Sequence, residues 1–317
     1  MPKCAMGQRT VVGHQPVVIG ALVTVALACI TCAPTKNASS VTLPWDLKVI
    51  GAPAAWQVTE GEGEVIAILD SGLSDEALPE LRKREVIPLP TADGVNLPFA
   101  PDIVGHGTAV TTLAAGSGDL GVWGVAPRAR VMPFNVTDAS GGISQDAVVF
   151  GIHAAVDEGA SVINMSFGSV SDSVRVREAI HFAAMHGVII VAAGGDTAAP
   201  APLFPADVLD EVIAVRALNE KGAPPLRANT VGANGIDAPG ENLLAVRIQN
   251  HTAVAVGSDG SSMAAALVSG SVSLFEACIH RKSGFVLGQP AVVHALRDSA
   301  RGGPWFNLRI ALREVGC

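Results

Sequence analysis

Three residues of unlike type carry the chemistry in this sequence. Asp70 directly follows the apolar run Val65-Ile66-Ala67-Ile68-Leu69 and precedes Ser71 and Gly72. His106 sits in Gly105-His106-Gly107-Thr108, and Ser262 in Gly260-Ser261-Ser262-Met263-Ala264. Each alone has an ordinary structural use: Asp beside Gly opens turns, His caps a helix, and Ser is a common N-cap. Together they supply what acyl transfer needs. A serine hydroxyl is a poor nucleophile near neutral pH and needs an imidazole to take its proton, while the imidazole needs a carboxylate to fix its tautomer and stabilise its charge. Placed at a helix start, the serine also gains the free N–H groups and dipole that favour an oxyanion, and Gly260 lets a substrate backbone come close.

The elements that must position these residues follow from the hydrophobic pattern. Short β-branched runs at 64–69, 129–135, 161–165, 188–192 and 211–215 predict strands. Helical patterns alternate with them, which is the mark of βαβ units and a parallel sheet covered on both faces. Val148, Ile152, Ala155 and Val156 form the stripe of a helix over 144–158, with Ser144 as N-cap and Gly159 at its end. Val176, Ile180, Ala183 and Ala184 repeat the design over 173–186, ended by Gly187. A Ser/Ala-rich stretch at 260–279 predicts a fully buried helix, and 289–300 a last amphipathic one. Ligands bind beyond the carboxyl ends of strands in such sheets, and Asp70 falls there.

The order and surroundings of the three residues resemble the subtilisin-like serine proteases. Asp70-Ser71-Gly72 looks like the family's Asp-Ser/Thr-Gly, Gly105-His106-Gly107-Thr108 matches its Gly-His-Gly-Thr, and Gly260-Ser261-Ser262-Met263-Ala264 differs from Gly-Thr-Ser-Met-Ala by one Thr-to-Ser change. Ile50-Gly51-Ala52-Pro53-Ala54-Ala55-Trp56, Gly124-Val125-Ala126-Pro127, Val162-Ile163-Asn164-Met165-Ser166-Phe167-Gly168 and Ala238-Pro239-Gly240 resemble further landmarks, so the likeness runs over about 45–300. It implies a three-layer α/β fold with a mainly parallel central sheet, and a serine endopeptidase that works through an acyl-enzyme. Ser262 would be the nucleophile, His106 the general base and then acid, and Asp70 the orienting carboxylate. Ser166, Phe167 and Gly168 would pair with an extended substrate backbone. Gly194 and Gly195 imply a permissive, apolar first pocket.

Two departures from the family pattern bear on activity and on the following helix. Where the family places an asparagine that donates to the oxyanion, this chain reads Ala192-Ala193-Gly194-Gly195-Asp196. That leaves Gly195 and the Ser262 N–H to form the oxyanion region, and losing such a donor costs about 100- to 1,000-fold in turnover. The alternative reading is therefore a weak or inactive pseudoprotease that binds extended peptides. The helix after Ser262 continues Ala265-Ala266-Leu267 in place of Ala-Pro-His. The resemblance implies structural calcium in many members, but no D-x-D-x-D-G run is present, so no metal ligand is assigned and the chemistry requires no cofactor.

Composition bounds the rest. At 317 residues, 49% apolar and 16% charged, the chain can bury a large core, and its net charge of −8 without a basic run argues against nucleic acid as a partner. Five cysteines are too few for a disulfide scaffold, and a lone Cys29–Cys32 pair without HExxH indicates no zinc site. Lys3 and Arg9 precede an apolar stretch, 17–28, with no acidic residue before Asp46, and Ala26-Leu27-Ala28-Cys29 loosely resembles a bacterial lipobox. The expected organisation is a signal peptide or lipoprotein signal at 1–28, a polar tether at 29–43 and a catalytic domain at 44–317. The protein would then be a monomer outside the cytoplasm, secreted or held to the membrane through its N-terminus, acting on proteins or peptides. Cys278 and Cys317 could pair in that oxidising setting.

Overall fold

The computed structural model describes residues 43–317, apart from 82–85, 91–95, 98–100, 139–141, 209 and 233. The expected signal and nearly all of the expected tether lie outside the described residues.

Two short helices, α1 (Trp45–Val49) and α2 (Ala52–Ala55), lead into β1 (Val65–Asp70). A 3-10 turn at Asp75–Leu81 and the small strands β2 (Leu89–Pro90) and β3 (Asn96–Leu97) follow, then α3 (His106–Ala115) and β4 (Arg130–Asn135). The chain continues through α4 (Gln145–Asp157), β5 (Val162–Met165), α5 (Val174–Met185), β6 (Ile189–Ala193), β7 (Val212–Leu218) and β8 (Ile236–Pro239). A hairpin of β9 (Leu243–Gln249) and β10 (Thr252–Ser258) precedes α6 (Ser261–Ser283), α7 (Gln289–Ser299) and α8 (Leu308–Glu314).

The central sheet has six strands in the order β4-β1-β5-β6-β7-β8, and all their pairings are parallel. Alternation along each strand splits the core into two layers. Ile66, Ile68, Val191, Ile213 and Val215 face α3 and α6, whereas Val65, Ala67, Leu69, Ile190 and Val212 face α4 and α5. A sheet buried on both faces needs apolar residues at successive positions, and all six residues of β1 are buried. β1 is also the switch point of the topology, because the chain leaves it toward β4 on one side and returns to β5 on the other. A crevice opens at the carboxyl ends of such strands.

The five expected strands form with shifts of one to three residues at their ends. Ser144 and Ser173 cap α4 and α5 as expected, accepting from Ala147 N and Val176 N. β8, the hairpin and α8 are additions to the expected set. α6 is longer than expected and apolar enough to cross a membrane, yet it is buried through most of its length in the core, where Phe275, Leu267 and Leu274 have no exposed surface. Cys278 on α6 is bonded to Cys317 after α8, with their Cα atoms 6.3 Å apart.

Candidate active site

β1 ends on Asp70 itself, which places a nearly buried carboxylate in the crevice. Its Oδ1 accepts from Ser71 N at 2.7 Å and lies 2.7 Å from His106 Nδ1. With the proton on Nδ1, the other ring nitrogen is left free to act as a base. Burial works against a charge on His106, but the hydrogen bond and charge of Asp70 outweigh it and hold the imidazole above its ordinary value of 6.5. Arg247 opposes that charge and Asp102 supports it.

The position of His106 depends on a residue that sequence reasoning missed. Asp102 is the working cap of α3. Its Oδ1 accepts from Ser71 Oγ, Val104 N and Gly105 N at 2.8, 3.0 and 2.6 Å, and its Oδ2 accepts from Thr108 N and Thr108 Oγ1 at 2.8 and 2.7 Å. Ser71 Oγ in turn accepts from Gly107 N at 2.8 Å, so the residue after Asp70 is tied to the residue after His106. A Cβ at position 107 would lie 2.3 Å from Gly72 O, so only glycine lets α3 approach the end of β1 this closely. The available signal was an acidic residue within a few positions of a helix start.

Ser262 occupies the second position of α6, whose preceding residue Gly260 supplies no side-chain cap. Asp196, just beyond β6, caps it instead. The Asp196 carboxylate accepts from Ser261 N at 3.0 Å and from Ser261 Oγ at 2.8 Å, and Ser261 Oγ accepts from Gly195 N at 3.1 Å. Ser262 N–H has no protein acceptor among the described residues. Ser262 Oγ donates to Ser166 O at 2.9 Å rather than to His106. Ser166 Oγ sits 2.9 Å from both Asn164 Oδ1 and Ser262 O, and Asn164 Nδ2 donates to Ser269 Oγ at 3.0 Å. This fastens the end of β5 to α6.

Gly195 has φ +108°, and a Cβ there would lie 2.6 Å from Asn229 Nδ2 and 3.0 Å from the Leu203 side chain. Asn229 is buried and organises the whole turn. Its Nδ2 donates to Gly194 O at 3.2 Å, and its Oδ1 accepts from Thr197 N, Thr197 Oγ1 and Ala199 N at 2.9, 3.1 and 3.0 Å. Gly195 thus brings no side chain to this turn, and the space for one is filled from another part of the chain. Leu203 also fills the space over Gly168, where a Cβ would meet it at 2.9 Å.

The backbone of 166–168 lies outside the regular sheet, with Ser169 bridged to Phe204 just beyond it. Beside it opens a cavity of about 340 Å³ lined by Ile143, Val148, Phe167, Val176 and Phe204 together with glycines and the polar Gln145, Ser169, Ser171 and Ser173. Two larger cavities lie elsewhere, along α7. Among the described residues no group of three or more His, Cys, Asp or Glu side chains could hold a metal ion, so calcium stays unassigned.

A parallel α/β sheet carrying a carboxylate–imidazole pair at its switch strand and a serine at an adjoining helix start has the layout of a serine hydrolase. The chain belongs to the subtilase family, whose model matches residues 61–280. It is 35% identical over 159 residues to thermitase of Thermoactinomyces vulgaris, covering 50% of this chain and 56% of that protein. It is 32% identical over 234 residues to subtilisin Savinase of Lederbergia lenta, covering 73% and 83%. It is 33% identical over 245 residues to the major intracellular serine protease of Bacillus subtilis, covering 74% and 75%. The matched part is thus little more than half of thermitase.

Proposed function

We propose that this protein is a serine endopeptidase in which Ser262, His106 and Asp70 act as one unit. The observation that carries the reading is the 2.7 Å contact between Asp70 Oδ1 and His106 Nδ1 at the switch strand. Ser262 Oγ attacks the peptide carbonyl as His106 takes its proton, and Asp70 stabilises the imidazolium. The carbonyl oxygen, now negative, meets the free Ser262 N–H and the positive end of α6. Collapse of this intermediate breaks the C–N bond, His106 gives its proton to the leaving amine, and water then releases the acyl group by the reverse sequence. Hydrogen bonds between nucleophile and base commonly tighten only when substrate is bound, which accommodates the present bond from Ser262 to Ser166 O.

Extended substrate backbone pairs with Ser166, Phe167 and Gly168, which run on past the carboxyl end of β5 outside the regular sheet. The cavity beside Phe167 takes an apolar side chain several residues before the cleaved bond. Leu203 narrows the first pocket that Gly194 and Gly195 alone would leave open. The disulfide between Cys278 and Cys317 supports work outside the cytoplasm, since such bonds persist in oxidising compartments.

A fluorophosphonate probe tests this reading: it labels the wild-type protein, Ser262→Ala abolishes labelling, and unfolded casein is cleaved by the wild type before it reacts with the probe and neither by the labelled protein nor by Ser262→Ala. A folded wild-type protein that neither labels nor cleaves overturns it. The bonds that engage the Ser262 and Ser261 hydroxyls favour a second reading, a pseudoprotease that holds extended peptides without cutting them. Peptide binding that survives Ser262→Ala, with no labelling of the wild type, decides for the second reading.

A further inference from the structure

The His106 side of the site carries a charge that the reaction above does not use. Arg247 lies in the middle of β9 and reaches toward α3, with Nη1 donating to Gly105 O at 3.2 Å, one residue before His106. It is half-buried, and it is near enough to His106 to oppose its protonation. The two carboxylates of this neighbourhood are committed elsewhere. Asp102 accepts the bonds that cap α3, and Asp70 holds Ser71 N and His106. No ion pair joins Arg247 to any carboxylate among the described residues. A guanidinium on an acidic protein, left with one carbonyl as its partner, keeps most of its five N–H donors for something else.

Where that charge sits relative to substrate follows from the proton transfers. The acyl part of a substrate runs along 166–168 to the carbonyl at Ser262. The leaving amine receives its proton from His106, so the residues beyond the cleaved bond pass on the His106 side, where the Arg247 side chain from β9 meets Gly105 O. We propose that Arg247 is a specificity-determining residue that selects an acidic side chain in the leaving segment. The inference deepens the endopeptidase reading and rests on it. A planar guanidinium matches a carboxylate in two parallel hydrogen bonds, which an ammonium cannot reproduce.

The test uses internally quenched peptides that share one apolar acyl segment and carry Glu, Gln or Lys at the first or second residue after the cleaved bond, with the cut confirmed by mass spectrometry. Glu is expected to exceed Gln by about fivefold in kcat/KM at low salt, the scale of a partly exposed ion pair, and Lys to rank below both. The ratio shrinks as salt shortens the screening length. Because the ratio is taken within each variant, overall changes in turnover do not enter it. Arg247→Gln brings the Glu/Gln ratio to about one, Arg247→Lys keeps part of it, and Arg247→Glu inverts the order of Glu and Lys. A wild-type enzyme indifferent to charge, or a preference of the same size in Arg247→Gln, overturns the proposal while leaving the endopeptidase reading intact. Peptides that all stay uncut, with no fluorophosphonate labelling, overturn both.

Discussion

The two halves of the site are built to different standards. On the side of β1 and α3, the bonds of Asp102, Ser71 and Asp70 hold His106 at the crevice with its Nδ1 on the Asp70 carboxylate. On the side of β6 and α6, polar groups serve one another: Asp196 takes the Ser261 hydroxyl, Ser261 takes the Gly195 N–H, and Asn229 fills the space of a missing side chain. The first half has the arrangement that proton transfer needs. The second keeps Ser262 at a helix start, its N–H without an acceptor among the described residues, but places the Asp196 carboxylate at the same helix end. The Asp70–His106 contact is thus kept while the turn beside Ser262 is built differently, although α3 and α6 pack against each other in one core layer.

The largest effect separates an active enzyme from an inert one. His106→Ala and Ser262→Ala are each expected to lower kcat by at least about 10⁴-fold, and the double variant is expected to be no worse than either, as for groups acting as one unit. Turnover with casein or a peptide substrate measures it, and additive losses would show that the two halves do not work together.

Asp102→Ala tests whether the first half depends on its cap. Losing a helix cap and leaving Gly105 N, Thr108 N and Ser71 Oγ without their acceptor is expected to destabilise the fold by about 2–3 kcal/mol in denaturant unfolding. Unchanged stability would mean that water replaces the carboxylate without cost.

Gly195→Asn tests whether the second half can be repaired at one position. The left-handed backbone and the crowding by Asn229 and Leu203 predict a loss of about 1–2 kcal/mol in stability and no gain in turnover. A rise in kcat would show that the Asn229 side chain yields. Asp196→Asn is the milder change, since asparagine caps a helix about as well as aspartate. Removing a negative charge beside the developing oxyanion is expected to raise kcat/KM about tenfold.

The smallest effect is in pH. His106 must be neutral to take a proton, and Asp70 raises its pKa, so the acid limb of kcat/KM is expected above pH 6.5. Asp102→Asn removes a supporting charge and should move that limb down. For folding the sign is opposite. The Asp70–His106 pair contributes its full stability below the ordinary histidine value and loses it as pH rises through the raised one.

Much of this was legible from residue order because it is local. The apolar run of 65–69 sets β1, and the caps Ser144 and Ser173 bind N–H groups three residues on, within reach of any reading of the chain. The motifs around Asp70, His106 and Ser262 fix which groups can react, and the small side chains of α6 mark it as a core helix. β8 and the hairpin were harder to see, since β8 is only four residues long and β10 alternates small residues at a partly exposed edge.

What the sequence by itself determined is the family, through its ordered motifs, and the parallel sheet that carries them. Only the tertiary structure decided which groups serve the nucleophile and which serve the turn beside it. Asp196 reaches Ser261 across 65 positions of chain, Asn229 takes the room at Gly195 from a separate loop, and Arg247 comes to Gly105 across 142. Residue order does not contain those meetings. They are set by how strands and helices pack, and a hydrogen bond of about 3 Å between distant segments forms only after packing has brought them together.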